Sequence, residues 1–228
     1  MNKLSPIAYV LLLFILLGGS GSSCKKEVPR EQVRFDFLVP ITITPLKDTI
    51  SVGEELTFST LFSDSVYDMN SAKRYYLPNF NWRPMIFIKK LVAPEKNLFN
   101  QFRAGGKFEY INVVGSFTIV DEIAATMKYI YENNQYKLTV KIKPNEKGVF
   151  SIDFANDFSP GQVKLPQEFA PSVSGITYDP VIGDMRNQIN NGQTNYHILK
   201  QHCSVEPPGL AAIDTWLYKN SIYTFVVK

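Results

Sequence analysis

Apolar and polar positions alternate through most of this chain. From Phe35 to Thr44 the odd positions are Phe35, Phe37, Val39, Ile41 and Ile43, and the even ones are mostly polar. Successive side chains of a strand point to opposite faces, so this pattern predicts a strand with one buried side. Pro40 has no amide donor, which places the strand at an edge or bends it there. Asp48–Gly53 reads as a turn, after which Leu56, Phe58, Thr60 and Phe62 alternate again. Met85–Leu91 and Lys107–Val120 are further strands, with Ala104-Gly105-Gly106 as the turn before the second. Thr126–Tyr131, Tyr136–Lys143 and Val149–Ala155 read as an antiparallel meander, turned at Asn133-Asn134 and at Pro144–Gly148. Asparagine tolerates the positive φ that a short hairpin turn needs. Within the middle strand Leu138, Val140 and Ile142 face one way, and Lys137, Thr139, Lys141 and Lys143 form a solvated face.

Further on the period changes. Pro160, Pro166 and Pro171 make Asn156–Asp179 loop-like. Ile182, Met185, Ile189, Tyr196, Leu199 and Cys203 then recur at three-, four- and seven-residue steps, the spacing of a helical face. Asn190-Asn191-Gly192 interrupts this face and Pro207-Pro208-Gly209 ends it; Leu210, Ile213, Trp216 and Leu217 suggest one more short helix. Ser221–Val227 closes as a strand returning to the main sheet, with Tyr223, Phe225 and Val227 on one face. Asp64–Arg83 reads as a polar and aromatic connector. The run Ile43–Phe58, with its glycine turn at Gly53, resembles the opening of many bacterial immunoglobulin-like domains, in which one strand crosses between sheets. The expected fold is mainly β: one antiparallel immunoglobulin-like β-sandwich over residues 35–228, with a helical excursion at about 181–218 before the last strand.

Ahead of that domain stands a segment of another kind. Lys3, the apolar run Ile7–Leu17 and the small-residue tail Gly18–Ser23 have the three parts of a secretory signal. The run is shorter than the roughly 20 residues of a permanent membrane span. Ser22 and Ser23 immediately before Cys24 make the segment resemble a bacterial lipoprotein signal, although Gly21 stands where Leu, Val or Ile is usual. With the β-rich body behind it, the whole is most similar to lipoproteins of Bacteroidota. That resemblance implies a leader of residues 1–23, a diacylglycerol on the Cys24 thiol, a polar tether over 24–34 and anchorage at the outer membrane. Each buried methylene of an acyl chain adds about 0.8 kcal/mol, so two or more chains hold firmly. In such proteins acidic residues after the cysteine favour the cell surface; here Lys25 and Lys26 precede Glu27, and the membrane face stays open. Ordinary cleavage near Gly21, leaving Cys24 as a thiol, is the alternative.

Composition narrows the functional classes. The 24 Lys+Arg face 21 Asp+Glu, and the basic residues are scattered, which argues against a nucleic-acid partner. With Cys24 and Cys203 as the only cysteines, disulfides do not carry the fold. If Cys24 is acylated, Cys203 is a lone buried thiol; if not, the two can bridge.

Catalytic chemistry is thin. His197 and His202 are five apart, about 140° around a helix, so they do not share a face, and no second ligand pair at metal spacing accompanies them. No metal or cofactor is expected. Either histidine can serve a serine hydrolase as base, but no Gly-x-Ser-x-Gly elbow is present. Asp121 and Glu122, adjacent on a strand, point apart. Binding chemistry concentrates in Arg74-Tyr75-Tyr76-Leu77-Pro78-Asn79-Phe80-Asn81-Trp82-Arg83. Aromatic rings beside planar guanidinium groups are common at interfaces, so Arg74, Tyr75, Tyr76, Trp82 and Arg83 are the candidate contacts for a protein partner or a glycan. The competing reading is that Leu77, Phe80 and Trp82 anchor the connector into the core. A non-catalytic binding lipoprotein is the leading expectation. An envelope or fimbria assembly subunit docking through an edge strand is the alternative, and a hydrolase the third.

Overall fold

The computed structural model describes residues 30–82, 84–122, 124–156, 165, 169, 177–203, 216 and 219–228. The leader, Cys24, the first part of the tether, Arg83 and most of the Leu210–Leu217 segment lie outside the described residues. Strand β1 (Arg30–Thr44) is followed by β2 (Thr49–Ile50), β3 (Leu56–Ser63), β4 (Ser65–Asp68), β5 (Lys73–Tyr76) and β6 (Pro84–Lys90). Then come β7 (Phe102–Arg103), β8 (Phe108–Val114), β9 (Ser116–Ile119), β10 (Ala124–Lys128) and β11 (Ile130–Glu132). The last are β12 (Gln135–Pro144), β13 (Gly148–Asn156), β14 (Thr177–Ile189) and, after the helix Tyr196–His202, β15 (Ile222–Val227). One sheet runs β11-β12-β3-β1-β4-β5, with β14 on β1 and β8 on β12; the other runs β2-β15-β13-β6-β10-β9, with β7 on β6. The chain is thus the immunoglobulin-like β-sandwich with a helix before its last strand.

The inward stripes are those the alternation predicts. Phe35, Phe37, Val39, Ile41 and Ile43 are all buried, as are Leu138, Val140 and Ile142 on β12. Lysines on the outer side of β12 meet carboxylates, with Lys141 Nζ 2.8 Å from Glu55 and Lys137 Nζ 3.5 Å from Glu132. The first three residues of the β1 stripe belong to one apolar cluster and the last two to another, so β1 spans both halves of the core. A third cluster, including Leu91, Leu98, Leu199, Cys203 and Ile222, lies under the helix.

Several expectations are corrected. Ile182, Met185 and Ile189 do not form a helical face: Thr177–Ile189 is a strand running parallel to β1, from Arg30 opposite Thr177 to Ile41 opposite Ile189. Its inward positions Gly183, Met185, Asn187 and Ile189 follow period two. Two of these four are not apolar, which hid the alternation and left a mixed three-four spacing that mimics a helix. Asn187 is accommodated because its Nδ2 donates to Phe154 O at 3.1 Å across the sandwich. The helical excursion begins only at Tyr196: Tyr196–His202 is a helix with Ile198 and Leu199 buried, and Trp216, Lys219 and Asn220 are also helical among the described residues. Residues 30–34 are strand rather than tether, drawn into the β14 ladder. Pro40 is not on an edge; it stands opposite Gln188, between the Phe37–Asp68 and Thr42–Ser59 pairs where β1 passes from β4 to β3. The connector folds as the β4–β5 hairpin.

Nor do the three middle strands make one meander. Tyr129 separates β10, in the second sheet, from β11, in the first, and the Pro144–Gly148 turn carries the chain from β12 across to β13. The expected strand Lys107–Val120 is likewise broken at Gly115, with β8 on one sheet and β9 on the other. Gly115 has φ +74°, and a Cβ there would lie 2.4 Å from Lys128 O and 2.9 Å from Leu138 Cδ1. Only glycine makes this crossing without moving both neighbours.

Strand directions define two ends. β1 enters at Arg30, the entry end, and its 15 residues rise over roughly 46 Å to Thr44 at the far end. Thr44 pairs with Thr57 and Leu56 with Ile142, so the β12–β13 turn lies at the far end; Lys90 opposite Phe150 puts the end of β6 there too. Gly115→Ala is expected to destabilise the domain by roughly 1–3 kcal/mol in urea unfolding; an unchanged midpoint would show that the crossing has slack.

Candidate far-end cleft

At the far end four short segments converge. Lys90 closes β6, Phe102 and Arg103 form β7 against Lys89 and Lys90, Lys107 precedes β8, and Glu146 sits in the β12–β13 turn. Gly148 clears the way for Lys90, whose Cε would lie 2.6 Å from any Cβ at that position. The Lys90 ammonium lies 5.7 Å from the Phe150 ring centroid and 2.7 Å from Glu146 Oε1. Lys107 reaches Glu146 Oε2 at 3.1 Å. The hydrogen bond from Lys90, then that from Lys107, hold the Glu146 carboxyl below its ordinary range. It is therefore ionised at neutral pH.

Around these groups lies a cleft of about 260 Å³ lined by Lys90, Val92, Phe102, Arg103, Lys107 and Glu146. Three cations face one carboxylate. Phe102 is 62% exposed and Val92 37%, leaving apolar surface directly beside the charges. The described lining contains no Ser, Thr, Cys or His. The arrangement can hold an anionic group against an apolar face.

The aromatic stretch lies elsewhere, at the entry end, and does not form one site. Trp82 is 4% exposed and sits amid Phe80, Phe37, Phe62 and Tyr136, with centroids 4.9–6.0 Å away. Tyr75 is half-buried, edge-on to Phe35 at 4.8 Å. Both rings close the mouth of the sandwich, because an open end of two sheets leaves core side chains that something must cover. Tyr76 and Arg74 are exposed, and Arg74 Nη1 donates to Ser65 O at 2.6 Å across the β4–β5 hairpin. Tyr136 ties the connector down, its hydroxyl donating to Leu77 O and accepting from Phe80 N.

Under the helix lies a polar group of another kind. Lys89 is buried and its Nζ donates to Leu98 O at 2.8 Å. Burial raises the Asp153 carboxyl to about 6, the Lys89 charge pulling the other way, and burial lowers Lys89 itself. Cys203 is a buried free thiol, accepting from Gln101 Nε2 at 3.8 Å, and burial pushes its pKa up. His197, on the exposed side of the helix, has Nε2 3.1 Å from Asp48 Oδ2. No three metal-ligating side chains come together among the described residues.

Sequence reasoning missed the cleft because its parts lie in four segments. The available signal was Phe102-Arg103 and Lys107 flanking Ala104-Gly105-Gly106, an aromatic and charged loop with no strand alternation to absorb it.

No family model matches this chain, and no curated protein matches it. Among solved structures, the human F-spondin reeler domain (fragment 1) is similar at 9% identity and TM-score 0.32, over 72% of this chain and 93% of that one. The second type II cohesin module of the adaptor ScaA scaffoldin of Acetivibrio cellulolyticus is similar at 12% identity and TM-score 0.29, over 64% and 94%. Type II cohesin A11 of Bacteroides cellulosolvens is similar at 12% identity and TM-score 0.26, over 64% and 99%. No ligand or partner is carried over from any of them.

Two measurements follow from this geometry. Trp82→Ala is expected to cost about 3–5 kcal/mol of stability in urea unfolding, and Tyr76→Ala no more than about 0.5 kcal/mol; equal losses would contradict the division into core and surface rings. The Asp153 carboxyl binds its proton more tightly in the folded state than the ordinary 3.8, so its ionisation lowers stability as pH rises from 3.8 through about 6. Asp153→Asn should therefore gain stability relative to wild type as pH rises across that window; a pH-independent difference would show that the carboxyl is well solvated.

Proposed function

We propose that this chain is a non-catalytic binding module, held at the outer membrane by acyl chains on Cys24, that presents the far-end cleft to its ligand. The observation that carries this reading is the run of β1. The chain enters the domain at Arg30, six residues beyond Cys24, a reach of at most about 20 Å. From there β1 extends to the end where Lys90, Lys107 and Glu146 meet. A domain so tethered keeps its entry end near the bilayer and can hold its cleft up to roughly 46 Å farther out. The core rings of the entry end are then on the membrane side, and the charged, apolar-floored opening is on the accessible side.

A second reading has its own support. β8 and β9, joined through Gly115, each lie at an outer edge of their own sheet, and Val113 on β8, Ile119 on β9 and Val120 just beyond it are 52%, 44% and 61% exposed. An extended segment of an envelope or fimbria partner can add to such an edge. Hydrolysis gains less: Asp48 and His197 supply two members of a triad, but no hydroxyl is hydrogen-bonded to His197 among the described residues.

Cell fractionation with protease treatment of intact and lysed cells tests the anchored module. Wild type is expected in the membrane fraction and the Cys24→Ala variant outside it. Unchanged membrane retention of that variant would overturn the anchor, and isolation of the chain as an assembly held through β8–β9 would favour the second reading.

A further inference from the structure

We propose that the far-end cleft binds a carboxylate-bearing sugar ring, a hexuronate unit of an acidic glycan. The inference rests on reading this cleft as the binding surface and adds the chemical class of its ligand.

Charge sets the first requirement. Lys90, Arg103 and Lys107 stand against the single carboxylate of Glu146. Lys90 and Lys107 are both engaged by that carboxylate, at 2.7 and 3.1 Å, whereas Arg103 is exposed and forms no ion pair among the described residues. A guanidinium offers two parallel donors to an incoming carboxylate. The two ammonium groups already hold the Glu146 carboxylate between them, so a carboxylate fits their spacing. Glu146 acts as an internal occupant that a ligand carboxylate displaces or joins.

Shape sets the second. A cleft of about 260 Å³ takes one ring-sized group and excludes a helix or a folded element. Phe102, 62% exposed, and Val92, 37% exposed, give that group an apolar face to lie on, immediately beside the cations. A hexuronate has its carboxylate and its C–H face in one rigid unit, so both contacts form together at little cost in conformational entropy. An aspartate or glutamate side chain of a peptide supplies the charge but leaves Phe102 wet unless a second residue is ordered beside it. Among anionic ligands of this size the rigid acidic ring is therefore favoured.

Titration calorimetry on the full-length purified chain in detergent, with trigalacturonate as the probe, tests the proposal. Saturable binding is expected, weakened tenfold or more by Arg103→Ala and by Phe102→Ala, and weakened by added salt. Glu146→Gln, which frees both ammonium groups, is expected to tighten binding several-fold. The neutral trisaccharide galactotriose should not bind, and triglutamate should bind more weakly than trigalacturonate. Phe102 and Arg103 are exposed and Glu146 is partly so, and unchanged unfolding midpoints certify that all three variants are folded. Absence of saturation up to about 10 mM, indifference to Arg103→Ala, or equal binding of galactotriose would overturn the proposal. Tighter binding of triglutamate would overturn the saccharide class. The membrane reading fails separately: it falls with the fractionation of Cys24→Ala, whatever the purified chain binds.

Discussion

Everything in this domain hangs on the inward stripe of β1. Phe35, Phe37 and Val39 bury into the cluster of the entry end, and Ile41 and Ile43 into the larger cluster of the far end. One strand therefore belongs to both halves of the core, and period-two burial fixes its register, since a slip of one residue would turn all five side chains to the outer face. The parallel partner β14 holds the same strand from Arg30 to Ile41, and β3 takes over from Thr42 to Thr44. The two ends of the sandwich are joined by one laddered element, not by separately packed lobes.

Where the ladders stop, side-chain amides continue them. Asn190 follows the last residue of β14, and its Oδ1 accepts from Ile43 N at 2.9 Å while its Nδ2 donates to Ile43 O at 3.2 Å. Asn112 does the same for Phe117 beyond the Gly115 crossing, accepting from its N–H at 2.8 Å and donating to its C=O at 3.3 Å. In both places a carboxamide imitates a missing peptide group, so a chain that changes sheets leaves few backbone groups unpaired. Such residues look like breakers in a sequence; here they are splints.

These splints explain what was legible. Strands β1, β3, β12 and β15 could be read because their inward stripes are almost wholly apolar, Thr60 of β3 being the exception. β14 could not, because Gly183 and Asn187 occupy inward positions and their burial depends on partners distant in sequence. Which sheet a strand joins was equally hidden: β12 and β13 are neighbours in sequence but their pairing partners, β3 and β6, are set by contacts no local pattern encodes. Of the candidate site little was visible. The aromatic run was correctly singled out as unusual, yet Trp82 and Tyr75 serve the core, because ring chemistry is the same whether it seals an open end or meets a ligand. The cleft draws single residues from four segments, and none of those segments is remarkable in charge alone.

The balance of charge bears on how such a cleft must work. With 24 basic and 21 acidic residues the chain carries little net charge, and its exposed charges are screened beyond a Debye length of about 10 Å. In the proposed site, selectivity would arise at contact, from the local excess of Lys90, Arg103 and Lys107 over Glu146 and from the bare ring of Phe102. Contact selectivity needs fixed geometry, and the cleft has it at three points. Lys90 is confined between Gly148 and Phe150, Glu146 is held by two ammonium groups, and Phe102 is laddered to Lys90. At the far end the β6–β13 and β6–β7 ladders, together with the β12–β13 turn, set these charges side by side.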